Sequence, residues 1–198
     1  MSAYIGVVFV GVEIGLVISV SFSCNFCTSG LFIARPRTLV LGNIPNFRIY
    51  RNVEQYPNAK HVPGILILDI DAPVYFANAS YLRERITRWV DEEESRIKAT
   101  GKTSLQYVIM DMSGVGKIDT SGTSMLEEVQ KITQRRELQL VLVNPGSEVM
   151  KKLNKSKFQN NLGERWLYLT VKKAVGACNF NLRQRTNLNN DESEGWNC

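Results

Sequence analysis

The chain has 198 residues, of which 44% are hydrophobic and 22% charged, a size suited to one domain of ordinary size with an additional segment. The net charge is +5, but the basic residues are spread along the chain, which is a poor pattern for nucleic-acid binding. Cys24 and Cys27 form the only closely spaced cysteine pair and His61 is the only histidine, so we expect neither a metal nor a cofactor, and the sparse cysteines favour a reducing compartment.

The first predicted element is the almost wholly apolar stretch Ile5–Phe22, which is just long enough to cross a bilayer as a helix. A buried helix of a soluble protein and the hydrophobic region of a signal sequence are the alternatives. The length and the small-residue pattern Gly11-x-x-x-Gly15 favour a transmembrane helix, which we place over residues 4–23. Glu13 is its only charge and would be costly against lipid, so it calls for partner helices. We therefore expect the chain to be the end of a larger membrane protein or the product of a truncated gene model.

Residues 24–45 are predicted to be a linker, and the charges around it indicate the orientation of the chain. No Lys or Arg precedes the apolar stretch, whereas four arginines follow it: Arg35, Arg37, Arg48 and Arg51. Because basic residues concentrate on the cytoplasmic side of a membrane, we expect the part of the chain after the span to be cytoplasmic.

The next elements are predicted from hydrophobic periodicity. A short strand is expected around Phe47–Arg51, followed by a nearly continuous apolar run at Gly64–Ile70 that is typical of a central strand. A second strand is expected at Val74–Ala77. Apolar residues at helical spacing then predict an amphipathic helix from a cap region at 78–80 to about Lys98, with its charges in solvent.

The stretch from Tyr107 to Met125 predicts a strand, a loop and the start of a helix. The apolar run Tyr107–Met110 ends at Asp111, and Gly114 and Gly116 follow in the loop. Four apolar residues then recur at helical spacing: Met125, Leu126, Val129 and Ile132. Three residues could cap this helix: Asp119, Thr120 and Ser121. Since a helix N-terminus attracts negative charge, a hydroxyl there is a site where an added phosphate would be tolerated.

The remaining sequence predicts a strand at Gln139–Val143, a basic helix at Ser147–Lys155, a strand at Trp166–Leu169 and a last helix at Thr170–Cys178, before a polar tail at 179–198 that we expect to be disordered. Four lysines in and after the basic helix could contact anionic lipid, although a solvated helix face is the simpler interpretation: Lys151, Lys152, Lys155 and Lys157. Strands alternating with amphipathic helices predict an α/β fold in which helices flank a sheet.

The loop after Tyr107–Met110 resembles the corresponding loop of STAS domains, the fold shared by bacterial anti-sigma-factor antagonists and the cytoplasmic tails of SulP-type sulfate permeases. The resemblance implies a central mixed β-sheet flanked by helices over residues 46–178. In the antagonists the hydroxyl residue directly after the second aspartate is phosphorylated, which implies Thr120 as a regulatory candidate here. The simpler alternative, that Thr120 caps or packs under the helix, stays open. The loop residues that carry the resemblance are Asp111, Ser113, Asp119, Thr120, Ser121 and Gly122.

A second resemblance covers most of the chain, from about Ile5 to Cys178. Val12–Leu16, Arg35-Pro36-Arg37 and Leu41–Pro45 are similar to the last membrane helix and the following connection of plant SulP sulfate transporters. This implies the C-terminal part of a sulfate or related anion transporter, operating with protons, whose STAS domain acts in assembly, trafficking and regulation. The polar segment Ser21–Gly30 departs from the family, in which an apolar helix usually continues.

The partners implied are the remaining membrane domain, a second copy through the STAS domain, regulatory proteins or a kinase, and membrane lipid, but not nucleic acid. The alternative is a soluble phospho-switch like the antagonists, which would leave the apolar start unexplained. An enzyme has little support, because the chain carries neither a P-loop nor a Cys-His or Ser-His-Asp set in a motif context.

Overall fold

The structure is a computed structural model that describes residues 16–23, 36–45, 47, 49–101, 104–156, 158 and 162–194. The chain divides into two compact units, Met1–Pro36 and Arg37–Cys198. In the first unit residues 16–23 are helical, whereas the rest of the predicted membrane helix, including Glu13, lies outside the described residues. Within the described ranges, no helix combines the length and apolar character that crossing a bilayer requires. The membrane helix over residues 4–23 stays a prediction.

The second unit is built on one six-stranded mixed sheet. Its strands are β1 (Arg37–Ile44), β2 (Ile49–Asn52), β3 (Ile65–Asp71), β4 (Tyr107–Asp111), β5 (Gln139–Val143) and β6 (Leu167–Tyr168). Their order across the sheet is β2-β1-β3-β4-β5-β6, with β1 antiparallel to both of its neighbours and the strands from β3 to β6 parallel. This arrangement confirms the predicted mixed sheet.

Among the described residues, four helices cover the two faces of the sheet: α1 (Phe76–Thr100), α2 (Thr120–Arg135), α3 (Ser147–Lys155) and α4 (Val171–Glu194). Alternate residues of a strand point to opposite faces, so Leu66 and Leu68 of β3 pack with α1, α2 and α3, while Ile65 and Ile67 pack with α4. Both faces of β3, β4 and β5 are buried, which explains why these strands appear in the sequence as continuous apolar runs.

The linker predicted over 24–45 is wrong at its C-terminal end, because Arg37–Ile44 forms β1 and lies inside the sheet between β2 and β3. The predicted strand at Val74–Ala77 is also wrong. Val74 makes only an isolated bridge to Ile118, and α1 begins two residues later at Phe76. At this helix start the Phe76 N–H donates to the carboxylate of Asp119.

The last helix does not end at Cys178 as predicted, since α4 continues to Glu194 through most of the tail that we expected to be disordered. Its inner face explains part of this difference. Ala174, Cys178 and Leu182 recur at intervals of four residues, and all three pack on the sheet. Leu182 therefore extends the apolar stripe past the predicted end, despite the poor helix propensity of the surrounding asparagines.

Candidate functional site

The candidate site lies at the carboxyl edge of the parallel strands, where the loop after β4 leads into α2. The loop begins with an Asx turn in which the Ser113 N–H donates to the Asp111 carboxylate at 3.0 Å. The Ser113 side chain is exposed and Asp111 is half-buried. Thus Asp111 shapes the backbone of the loop, in addition to ending its strand.

Asp119 holds the starts of two helices with one carboxylate. Its Oδ1 accepts the Gly122 N–H at 2.7 Å, which makes Asp119 the N-cap of α2. Its Oδ2 accepts the Phe76 N–H of α1 at 2.9 Å. The Asp119 N–H in turn donates to the Val74 carbonyl at 3.1 Å. One side chain therefore fixes the relative positions of the first turns of α1 and α2.

Thr120 is the first residue of α2, and its side chain is exposed. Its hydroxyl makes no hydrogen bond to any residue that the structure describes, and the capping position belongs to Asp119. Of the three capping candidates the structure therefore selects Asp119, and the alternative that Thr120 caps or packs beneath the helix is wrong. Ser121 follows in a half-buried position.

Glycines at two positions let the site assemble closely. A Cβ on Gly122 would lie 2.7 Å from Cγ1 of Ile118 and 2.9 Å from the carbonyl oxygen of Val74, so the first turn of α2 can approach this segment only without a side chain. A Cβ on Gly114 would lie 2.6 Å from Cα of Asp71. By contrast, Gly116 has open space around its Cβ position.

A groove of about 290 Å³ runs between the N-terminal halves of α1 and α2, with Thr120 and Ser124 along one side. Phe76 stands at its rim with 81% of its surface exposed, and an exposed ion pair between Arg83 and Glu128 lies at its other end. Around the exposed Thr120 hydroxyl, the groove thus presents further hydroxyls, an aromatic ring and an ion pair.

Asp69 is a carboxylate at this edge that the sequence interpretation missed, because it lies within an apolar strand. It is in register with Asp111 on the neighbouring strand. Burial, together with the negative charges of Asp111 and Asp71, raises its pKa to about 6. The sequence does contain a signal for it: when the apolar runs of β3 and β4 are aligned as parallel strands, Asp69 and Asp111 lie side by side.

In the described part of the chain, no group of side chains is arranged for metal binding and no thiol is placed to react. No group of three His, Cys, Asp or Glu side chains there is arranged to hold a metal ion. Both carboxylate oxygens of Asp119 are occupied by backbone N–H groups. Cys178 is buried on the inner face of α4, and burial raises the pKa of its thiol to about 12.

Comparison with known proteins adds a consistent set of likenesses. A family model described as STAS domain matches residues 56–174. The chain is 59% identical over its full length to Sulfate transporter 3.1 of Arabidopsis thaliana, and 45% identical over 89% of its length to High affinity sulfate transporter 1 of Stylosanthes hamata. It spans 30% of the first relative and 26% of the second. The solved structure of SLC26A9 superposes on 93% of this chain with a TM-score of 0.68 at 21% identity, and it shows the same fold. The superposed part is 30% of the SLC26A9 chain.

Proposed function

This chain belongs to the STAS domain family, and from that premise we propose that it is the C-terminal part of a plant transporter of sulfate or a related anion. One observation carries the proposal. The family model matches only residues 56–174, yet the 59% identity to a sulfate transporter extends over the entire chain, including the apolar start and the tail. A STAS domain with another role would not need those flanking segments.

In this proposal residues 4–23 form a membrane helix, and the arginines that follow it keep the STAS domain on the cytoplasmic side. Glu13 would face the remaining membrane domain, which would also hold the anion site. The STAS domain would act in regulation and assembly and would catalyse no reaction. Its partners would be that membrane domain, regulatory proteins or a kinase, membrane lipid and a second copy of the chain.

Thr120 is the proposed point of regulation. Phosphorylation adds about −1.5 to −2 charges at pH 7, and a helix N-terminus accommodates negative charge. The Thr120 hydroxyl is exposed, while Asp119 holds the helix start, so a phosphate could be added without breaking the cap. We therefore expect the modification to change the surface of the groove between α1 and α2 and to leave the fold intact.

A chimera tests the transport role. The matching C-terminal part of High affinity sulfate transporter 1 is replaced by this chain, and labelled sulfate uptake is measured in cells that lack their own uptake system. Uptake close to that of the parent transporter, and well above that of the truncated transporter, is expected. A chimera that reaches the cell surface but transports no better than the truncated transporter would refute the proposal. Recovery of the whole chain in the supernatant after membrane fractionation would favour the soluble phospho-switch.

The same chimera tests Thr120. We expect Thr120→Ala to lower sulfate uptake while the unfolding midpoint of the domain stays constant. Thr120→Asp, which adds a charge, should give an uptake that differs from that of Thr120→Ala. Ser124→Ala is the matched control, because Ser124 is exposed in the same groove one helical turn further along α2. If all three variants transport like the parent, Thr120 has no regulatory role.

A further inference from the structure

The outward face of α4 combines positive charges with an exposed aromatic ring. We use the name basic face for the residues Lys172, Lys173, Gly176, Phe180 and Arg183. At 100° per residue these five positions fall within one stripe of the helix. Lys172, Lys173 and Arg183 are exposed, and Phe180 keeps 61% of its surface exposed.

The opposite side of α4 is already used, because Ala174, Val175 and Cys178 are buried against the sheet. The basic face therefore has no part in holding the domain together. Gly176 supports this interpretation, since no other part of the described structure lies within 4 Å of its Cβ position and no neighbour requires a glycine there. Leu169, just before the helix, is a second apolar side chain at this end of α4 and is 75% exposed.

The charge of the stretch that carries the basic face is one-sided. Residues 171–184 contain three Lys or Arg and no Asp or Glu, a net charge of +3. Along α4 the first carboxylate is Asp191, two turns beyond Arg183. None of the ion pairs among the described residues involves Lys172, Lys173 or Arg183, whereas Lys151 of α3 pairs with Glu148 at 2.8 Å.

We propose that the basic face of α4 is a docking surface for the headgroups of an anionic lipid bilayer. Lys and Arg side chains near an anionic bilayer are attracted to it, and each contributes roughly a fivefold gain in affinity. Phe180 favours lipid as the partner, because an aromatic ring among cations can enter the boundary between headgroups and acyl chains. The inference rests on the proposed function only in placing the domain beside a membrane.

Residue-level lysine labelling tests this docking on the full chain. The chain is mixed with vesicles of phosphatidylcholine, or of equal parts phosphatidylcholine and phosphatidylserine, and treated with an amine-reactive reagent. Mass spectrometry then gives the labelling rate of each lysine. The apolar start of the chain would hold it on both kinds of vesicle, so total binding is not the measurement. Lys151 and Lys152, exposed on α3, are the internal controls.

We expect labelling of Lys172 and Lys173 to slow several-fold on the vesicles that contain phosphatidylserine, relative to Lys151 and Lys152, and the protection to disappear at high salt. Phe180→Ser should weaken the protection, while Phe76→Ser, at an even more exposed position on α1, should leave it intact.

If the labelling rates of the α4 lysines relative to the α3 lysines are the same on both kinds of vesicle, the proposal is wrong, and an acidic protein is left as the partner. Protection without uptake by the chimera would refute the transport role alone, whereas uptake without protection would refute lipid docking alone.

Discussion

Replacing Asp119 should destabilise the STAS domain at two helix starts at once. Loss of an N-cap costs about 1 kcal/mol, within a range of about 0.5–2. The hydrogen bond from the Phe76 N–H is solvent-exposed, so water can replace part of it, and its loss should add about 0.5–1 kcal/mol. The sum, about 2 kcal/mol for Asp119→Ala, corresponds to a melting temperature lower by about 4–8 °C for a domain of this size.

Two further variants serve as controls for Asp119→Ala. Asp119→Asn keeps one carbonyl oxygen and should lose about half as much stability, because it can accept only one of the two N–H groups. Thr120→Ala should stay within about 0.5 kcal/mol of the parent, since its hydroxyl is exposed and makes no hydrogen bond among the described residues.

Thermal and urea unfolding, followed by circular dichroism, measure these differences in stability. Hydrogen exchange should show faster exchange in the first turns of both α1 and α2 of Asp119→Ala. The reasoning fails if Thr120→Ala is as damaging as Asp119→Ala, or if only the first turn of α2 responds.

Gly122→Ala should lower the free energy of unfolding by about 1–3 kcal/mol, because the added methyl would overlap the carbonyl oxygen of Val74. Gly116→Ala has open space, so its stability should match or slightly exceed that of the parent. Equal urea midpoints for the two variants would contradict this packing. A domain that begins at residue 46 lacks β1 and should aggregate, while one that keeps β1 should elute as a folded species in size-exclusion chromatography; a soluble, cooperatively unfolding shorter version would show that β1 is dispensable. Asp69→Asn should stabilise the domain at neutral pH. The folded state raises the pKa of Asp69 from 3.8 to about 6 and so disfavours its ionised form, which means that this carboxyl weakens the parent progressively as pH rises between about 4 and 6. Urea midpoints of the parent and the variant at both ends of that interval test this, and a gap that narrows with rising pH would be the wrong sign.

The parts of the fold that could be predicted are those whose signal is local. The runs in β3, β4 and β5 are apolar on both faces, and α3 begins and ends where predicted, at Ser147 and Lys155. By contrast, β1 carries glycine and asparagine, and its central position depends on pairing with β3, more than 20 residues further along the chain. Such pairing is a tertiary fact that no local pattern contains.

The same distinction holds at the site. The loop residues could be located from their spacing, but not the division of roles between neighbours. Whether Asp119 or Thr120 caps α2 depends on the backbone angles where the loop enters the helix. The second hydrogen bond of Asp119 reaches Phe76, 43 positions away in sequence, and could not be inferred without the fold.

The short strands at the two edges of the sheet affect how copies of this domain can associate when they are close together. Among the described residues β2 offers four residues and β6 only two, so neither edge presents a long row of unpaired backbone groups to another molecule. Short edge strands are one way in which proteins avoid joining their sheets into aggregates. Many copies of this domain could therefore accumulate at high local density without polymerising through backbone pairing. If two copies do associate, the contact should form between side chains of helices or loops, where single substitutions can weaken or strengthen it without disturbing the sheet.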